Sequence, residues 1–221
     1  MSNPIKPTIK SEFFSLLLIA IAIVASFYFY AHFPTQVVTH WDFAGRPNGW
    51  SGRGFAAFFL PVLLIAMYLL FIFIPYLDPK KERYAEFARV YNIFRNFILF
   101  FLLVIYFIAS LNNIGNNLDV GIWVTVMIGL LFIILGNYMG KLKMNWFVGI
   151  RTPWTLSSET VWNKTHRVGG KIFILGGLLM IAAGLVPLAW RLPIFIADII
   201  MLLFGTIVYS YIVYLQEKKK L

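Results

Sequence analysis

The sequence contains no cysteine, which removes disulfides and thiolate metal centres from consideration and leaves the redox compartment undetermined. Charge is scarce: only 13% of the 221 residues are Asp, Glu, Lys or Arg, and acids are the rarer sign, 9 against 19 basic residues. Histidine is limited to 3. His40 and Asp42 stand at i, i+2 with no third ligand nearby, too few for a zinc site, so hydrogen bonding within their loop is expected and no metal or cofactor. No P-loop motif is present. The alternating ten-residue segments of a membrane β-barrel are missing as well.

What is present is apolar. Sixty per cent hydrophobic and 18% aromatic residues exclude an ordinary soluble domain. A spanning helix needs ~20 mostly apolar residues, and six runs qualify: Phe13 to Phe33, Phe55 to Leu77, Phe97 to Leu111, Val120 to Met139, Ile172 to Trp190 and Pro193 to Leu215. The third is short, so it is extended back to about Ile93, with Arg95 at its end snorkelling to the headgroups. The first exceeds the ~7–15 residues of a signal-peptide core and reads as an uncleaved anchor. The expected fold is an all-α polytopic membrane protein of six transmembrane helices, divided into a two-helix unit, 1–78, and a four-helix unit, 79–221.

Of the 19 Lys and Arg residues, all but Arg46, Arg53 and Arg191 fall in the N-terminal tail, the second loop, the fourth loop and the C-terminal tail with Lys218, Lys219 and Lys220. The positive-inside rule therefore places both termini in the cytoplasm and residues 34–54 outside. The net charge of +10 follows from that topology and from attraction to anionic lipids, without nucleic acid as a partner.

Two polar stretches interrupt the apolar runs. On the cytoplasmic side, Asn145 to Lys171 carries Trp146, Trp154 and Trp162 with Arg151, Lys164, His166, Arg167 and Lys171 interleaved. Thr152-Pro153 favours an extended or turn entry, Ser157 or Ser158 caps a helix with Glu159 in its first turn, and Glu159, Trp162 and His166 share one face. Gly169-Gly170 is expected to end or hinge that helix. The outer stretch, Pro34 to Gly54, has Val37 to Asp42 extended, a turn at Gly45 to Gly49 and the interface tryptophans Trp41 and Trp50, and reads as a short hairpin or ordered lid.

The second loop alternates Tyr84, Phe87, Val90, Tyr91 and Phe94 with charged residues at helical spacing, an amphipathic helix for the inner leaflet that could dock on 145–171. Gly136 and Gly140, with Gly176, Gly177 and Gly184, let helices approach closely, within one chain or in a homo-oligomer. Asp198 is read as the one carboxylate inside a span, shallow and near Arg191 as an ion pair or polar cap.

The pattern N-x-x-x-G-I-R-T-P-W-T-L-x-x-x-x-V-W-x-x-x-x-R, Asn145 to Arg167, resembles the signature of the SdpI family of bacterial membrane proteins, named for immunity to a sporulation-delaying toxin. T-H-W-D-x-x-G-x-P-x-G-W, Thr39 to Trp50, looks like the short domain of unknown function often found ahead of it. The resemblance implies a non-enzymatic, plasma-membrane immunity protein that meets a secreted peptide toxin outside. It also implies signal transduction through a cytoplasmic transcriptional repressor held at the membrane. The ligand- and partner-binding residues expected on this reading are Arg151, Thr152, Pro153, Trp154, Trp162, His166 and Arg167 inside, with His40, Trp41, Asp42, Gly45 and Trp50 outside. Rival readings are lipid anchoring by Arg151, Arg167 and the tryptophans, a peptide or small-molecule transporter, and an enzyme using Ser157 or Ser158 with Glu159 and His166.

Overall fold

In lipid, every backbone polar group must be satisfied within the protein, which leaves uninterrupted helices as the economical solution for apolar runs of this length. A computed structural model, describing residues 4–219, has this form. Its elements are α1 (Ile9–His32), β1 (Gln36–Trp41), β2 (Pro47–Gly52), α2 (Arg53–Leu77), a 3₁₀ turn (Lys81–Arg83), α3 (Tyr84–Asn113), α4 (Val120–Met139), α5 (Pro153–Ser157), α6 (Glu159–Leu185) and α7 (Leu188–Lys218). Among the described residues six helices are long and apolar enough to cross a membrane: all but α5. The fold is an all-α polytopic membrane fold with one two-stranded hairpin. Lys220 lies outside the described residues.

Phe13, Val24, Phe27, Phe73, Leu178 and Phe204 are exposed on the helices, the expected surface where lipid is the solvent. Inside, Leu18, Ala22, Phe29, Leu64, Leu99 and Tyr106 join α1, α2 and α3, while Tyr84, Phe87, Tyr91, Phe94, Leu142 and Trp162 form a second core at the opposite end of α3. The apolar face of the second loop therefore packs into protein, not onto a leaflet, and it docks on the 145–171 segment.

The third and fifth apolar runs are continued backwards by the helices expected over the amphipathic second loop and after the Ser158 cap, each forming one element with its run. Helix α3 begins at Tyr84 and α6 at Glu159, each well before its apolar run. Arg95 does not snorkel. It is buried, and its Nη1 meets Glu12 Oε2 at 2.9 Å, with Nη2 donating to Ser11 O at 3.0 Å. Glu12, in the first turn of α1, is thus, like Asp198, a buried acid, bonded also by Tyr68 Oη at 3.0 Å.

Gly169-Gly170 neither ends nor hinges α6, which continues to Leu185. The pair is needed for close approach instead: a Cβ on Gly170 would stand 2.5 Å from Gly136 O, and one on Gly129 2.6 Å from Gly177 O. Helices α4 and α6 thus meet backbone to backbone within one chain, the packing that small residues permit in lipid. Asp198 is not paired with Arg191. It lies well inside α7, buried, with neither carboxylate oxygen hydrogen-bonded among the described residues, and the bare Cα of Gly176 makes room for it.

Candidate functional site

The loops and helix ends gather at two poles of the bundle. One holds the 78–83 connection, residues 140–158 and the C-terminal end of α7; the other holds the hairpin and the α3–α4 and α6–α7 connections.

At the first pole an irregular chain of 13 residues between α4 and α5 needs partners for its backbone, and side chains supply them. Asn145 is fully buried: its Oδ1 accepts from Phe147 N at 2.9 Å and Val148 N at 2.7 Å, and its Nδ2 donates to Lys143 O and Val148 O, both at 2.9 Å. Asp78 Oδ2 accepts from Trp146 N at 2.8 Å and from Tyr84 Oη at 2.9 Å, fixing the loop to the start of α3. Trp162 Nε1 donates to Leu142 O at 2.9 Å, and its ring stacks on His166, 3.9 Å between centroids. His166 Nε2 accepts from Ile150 N at 2.9 Å, so Nδ1 carries the proton and donates to Trp162 O at 2.8 Å. Gly149, at φ +120°, bends the loop against that ring, where a side chain would be strained.

Thr152 and Thr155 form a reciprocal cap that starts α5 at Pro153, and Thr152 Oγ1 pairs with Ser210 Oγ of α7 at 3.0 Å. Ser158 caps α6 and donates to Glu217 Oε2 at 2.6 Å. Both ring nitrogens of His166 are therefore held by backbone, and both candidate serines are engaged elsewhere, Ser157 on Trp154 O at 3.0 Å. His166, the base of the enzyme reading, therefore faces neither serine. Of the expected contact residues, Thr152, Trp162 and His166 are buried and shape the segment. Trp154 is half-buried beside Tyr211, and Arg151, Pro153 and Arg167 are exposed, with Arg151 Nη1 on Trp146 O at 2.7 Å. Trp146 and Phe147, 48% and 36% exposed, add apolar surface beside those cations.

At the second pole β1 and β2 pair antiparallel, Val38 opposite Trp50 and His40 opposite Gly49, with irregularities on either side of His40. Asp42 builds the turn: Oδ1 accepts from Ala44 N and Arg46 N, both at 2.9 Å, and Oδ2 from Arg46 Nε at 3.0 Å. The Arg46 backbone N–H, foremost among these donors, holds the Asp42 carboxyl below its ordinary range. Gly45, at φ +77°, supplies the left-handed turn and packs on Gly121 at the start of α4. His40 Nδ1 bonds Asn48 Oδ1 at 2.5 Å, the intraloop bonding expected for the pair. Trp41 is half-buried and Trp50 is 56% exposed.

The hairpin roofs a cavity of about 400 Å³ that reaches down between α2, α3, α4, α6 and α7. His40, Trp41 and Asp42 border it, and Leu60, Val124, Ile128, Met180 and Phe195 make its walls. The sequence reading brought the roof residues together and missed the walls and Arg191, which also lines the cavity. No periodicity signals a wall assembled from five helices.

The fold and these poles define a six-helix, multi-pass membrane protein with a hairpin-roofed cavity at one end and a hydrogen-bonded tryptophan-arginine segment at the other. The second of these carries a family signature. Residues 141–214 match the SdpI/YfhL protein family, and residues 17–65, which include the hairpin, match a domain of unknown function, DUF1648. The chain is thus similar to SdpI/YfhL proteins in its C-terminal third and to that domain of unknown function around its first two helices. It is 24% identical over 171 residues, 77% of this chain and 80% of the relative, to the immunity protein SdpI of Bacillus subtilis (strain 168). No solved structure matches it.

Proposed function

We propose that the protein is a plasma-membrane immunity protein that protects its cell from a secreted peptide toxin, oriented with both termini in the cytoplasm. The orientation rests on the concentration of Lys and Arg at the 141–171 pole. The observation that carries the reading is the cavity: it opens beneath the hairpin, at the pole that this orientation turns outward, and has the apolar walls and few polar groups of a ligand site. The relative's name supports the same role. Glycine contacts between α4 and α6 narrow the bundle beneath the cavity, which favours binding over transport.

The opposite pole serves signalling. Trp146, Phe147, Arg151 and Arg167 form the exposed surface on which a cytoplasmic repressor is held, and toxin biases its capture only by binding one packing of α4 and α6 better than the other. Deletion of the gene from the producing strain tests the immunity reading. Sensitivity to the strain's own culture supernatant, reversed by restoring the gene, is expected; unchanged survival of the deletion strain overturns it.

A further inference from the structure

The cavity under the hairpin contains one charge without a counter-charge. Arg191, half-buried in the first turn of α7, lines the cavity, and its Nε donates to Val186 O at 3.2 Å. Among the described residues its two terminal nitrogens make no hydrogen bond and no ion pair. The carboxylate that shares the lining is Asp42, whose oxygens are already committed to Ala44 and Arg46. His40 Nδ1 is committed to Asn48. The Thr39 and Thr125 hydroxyls are bonded to Ser51 Oγ and Gly121 O, and the remaining wall is mainly apolar, with Leu60, Ile105, Val124, Ile128, Met180 and Phe195. A guanidinium half-buried over such a wall lacks a partner within the protein for its outer two nitrogens.

We propose that the cavity binds an amphipathic anion, a single apolar chain ending in a carboxylate. The carboxylate sits on Arg191 Nη1 and Nη2, and the chain runs down between α4, α6 and α7. One planar guanidinium matches one carboxylate through two parallel hydrogen bonds. A cationic or neutral head group gains nothing from that fork, and a phosphate dianion would leave a charge uncompensated. A free fatty acid and the C-terminus of an apolar peptide present this same chemistry. The proposal rests on the cavity being a ligand site, not on toxin being the ligand.

The test uses the full chain in nanodiscs with 12-bromododecanoate as probe, because bromine quenches tryptophan on contact and Trp41 borders the cavity. Saturable quenching is expected that disappears in Trp41→Phe, with 12-bromododecanol binding about tenfold or more weakly for want of the charge-assisted bonds. Arg191→Gln removes the preference for acid over alcohol; Arg53→Gln, at the same pole but outside the cavity lining and packed on Tyr30, keeps it. Should Arg191→Gln fail to reach the membrane, Arg191→Lys takes its place, retaining charge without the two-pronged geometry and binding the acid more weakly than wild type. A leucine-rich peptide, compared as free acid and as amide in displacing the probe, separates the two sources: displacement by the acid alone assigns a peptide terminus, and displacement by neither assigns a free fatty acid. Equal binding of acid and alcohol, or an unchanged preference in the Arg191 variants, overturns the proposal. Survival against toxin is no part of this readout, so failure of the immunity reading and failure of the site are separately visible.

Discussion

Asn113, the last residue of α3, satisfies both backbone groups of Val38: Val38 N donates to Asn113 Oδ1 at 2.8 Å, and Asn113 Nδ2 donates to Val38 O at 2.9 Å. One amide side chain thus completes the edge of β1 and ties the roof of the cavity to the bundle. Asn113→Leu leaves the Val38 groups without these partners, at a cost of about 1–3 kcal/mol. Amide exchange at Val38 and His40 is expected to accelerate while exchange at Leu99 stays slow; unchanged protection of β1 contradicts the assignment.

The Glu12–Arg95 pair is a single unit. Their side chains are 8% and 2% exposed, so removing one partner strands a buried charge, at about 3–5 kcal/mol. Glu12→Ala is expected to lower the thermal midpoint in detergent markedly, and Glu12→Leu with Arg95→Met to recover most of the loss. A double variant no better than the single one would show that the pair acts separately.

Contact between α4 and α6 depends on Gly136 far more than on Gly140. A Cβ on Gly136 would lie 2.5 Å from Gly170 O, whereas one on Gly140 finds ordinary contact at 3.5 Å. Gly136→Ala is expected to destabilise by about 1–3 kcal/mol through overpacking and Gly140→Ala to be near neutral, checked by paired thermal melts.

The hairpin turn is acid-sensitive. Because the folded-state pKa of Asp42 is depressed, its stabilisation of the turn is present above the unfolded value of about 3.9 and is lost as pH falls through the lower folded value. Amide exchange at Ala44 and Arg46 is expected to rise on acidification across that range, and Asp42→Asn to flatten the dependence.

Local signals carried part of this account. Helix α4 matches the expected Val120–Met139 because its run is uniformly apolar and ends where polar residues begin. Ser158, the extended strand before Asp42 and the turn at Gly45 were readable from capping and turn chemistry. Glycine chemistry misled at Gly169-Gly170, since contact with Gly136 outweighs the intrinsic cost of glycine in a helix. Arg95 and Asp198 were placed by assumed helix ends; Arg95 has its partner on a helix distant in sequence, and α7 starts earlier than its apolar run. Trp162 and His166 looked like a partner-facing stripe, but their polar atoms are consumed in holding the loop from Leu142 to Ile150. The cavity and Arg191 could not be found from spacing, because the walls come from separate helices.

Toxin survival of a sensitive host, with variants matched for membrane abundance, tests the central claim most directly. Wild type is expected to protect. Ala109→Phe, which fills the cavity from α3, is expected to abolish protection, while Arg151→Ala, at the opposite pole, leaves direct protection intact and weakens repressor capture. Full protection by Ala109→Phe would contradict the claim that the hairpin-roofed cavity is where the toxin is met.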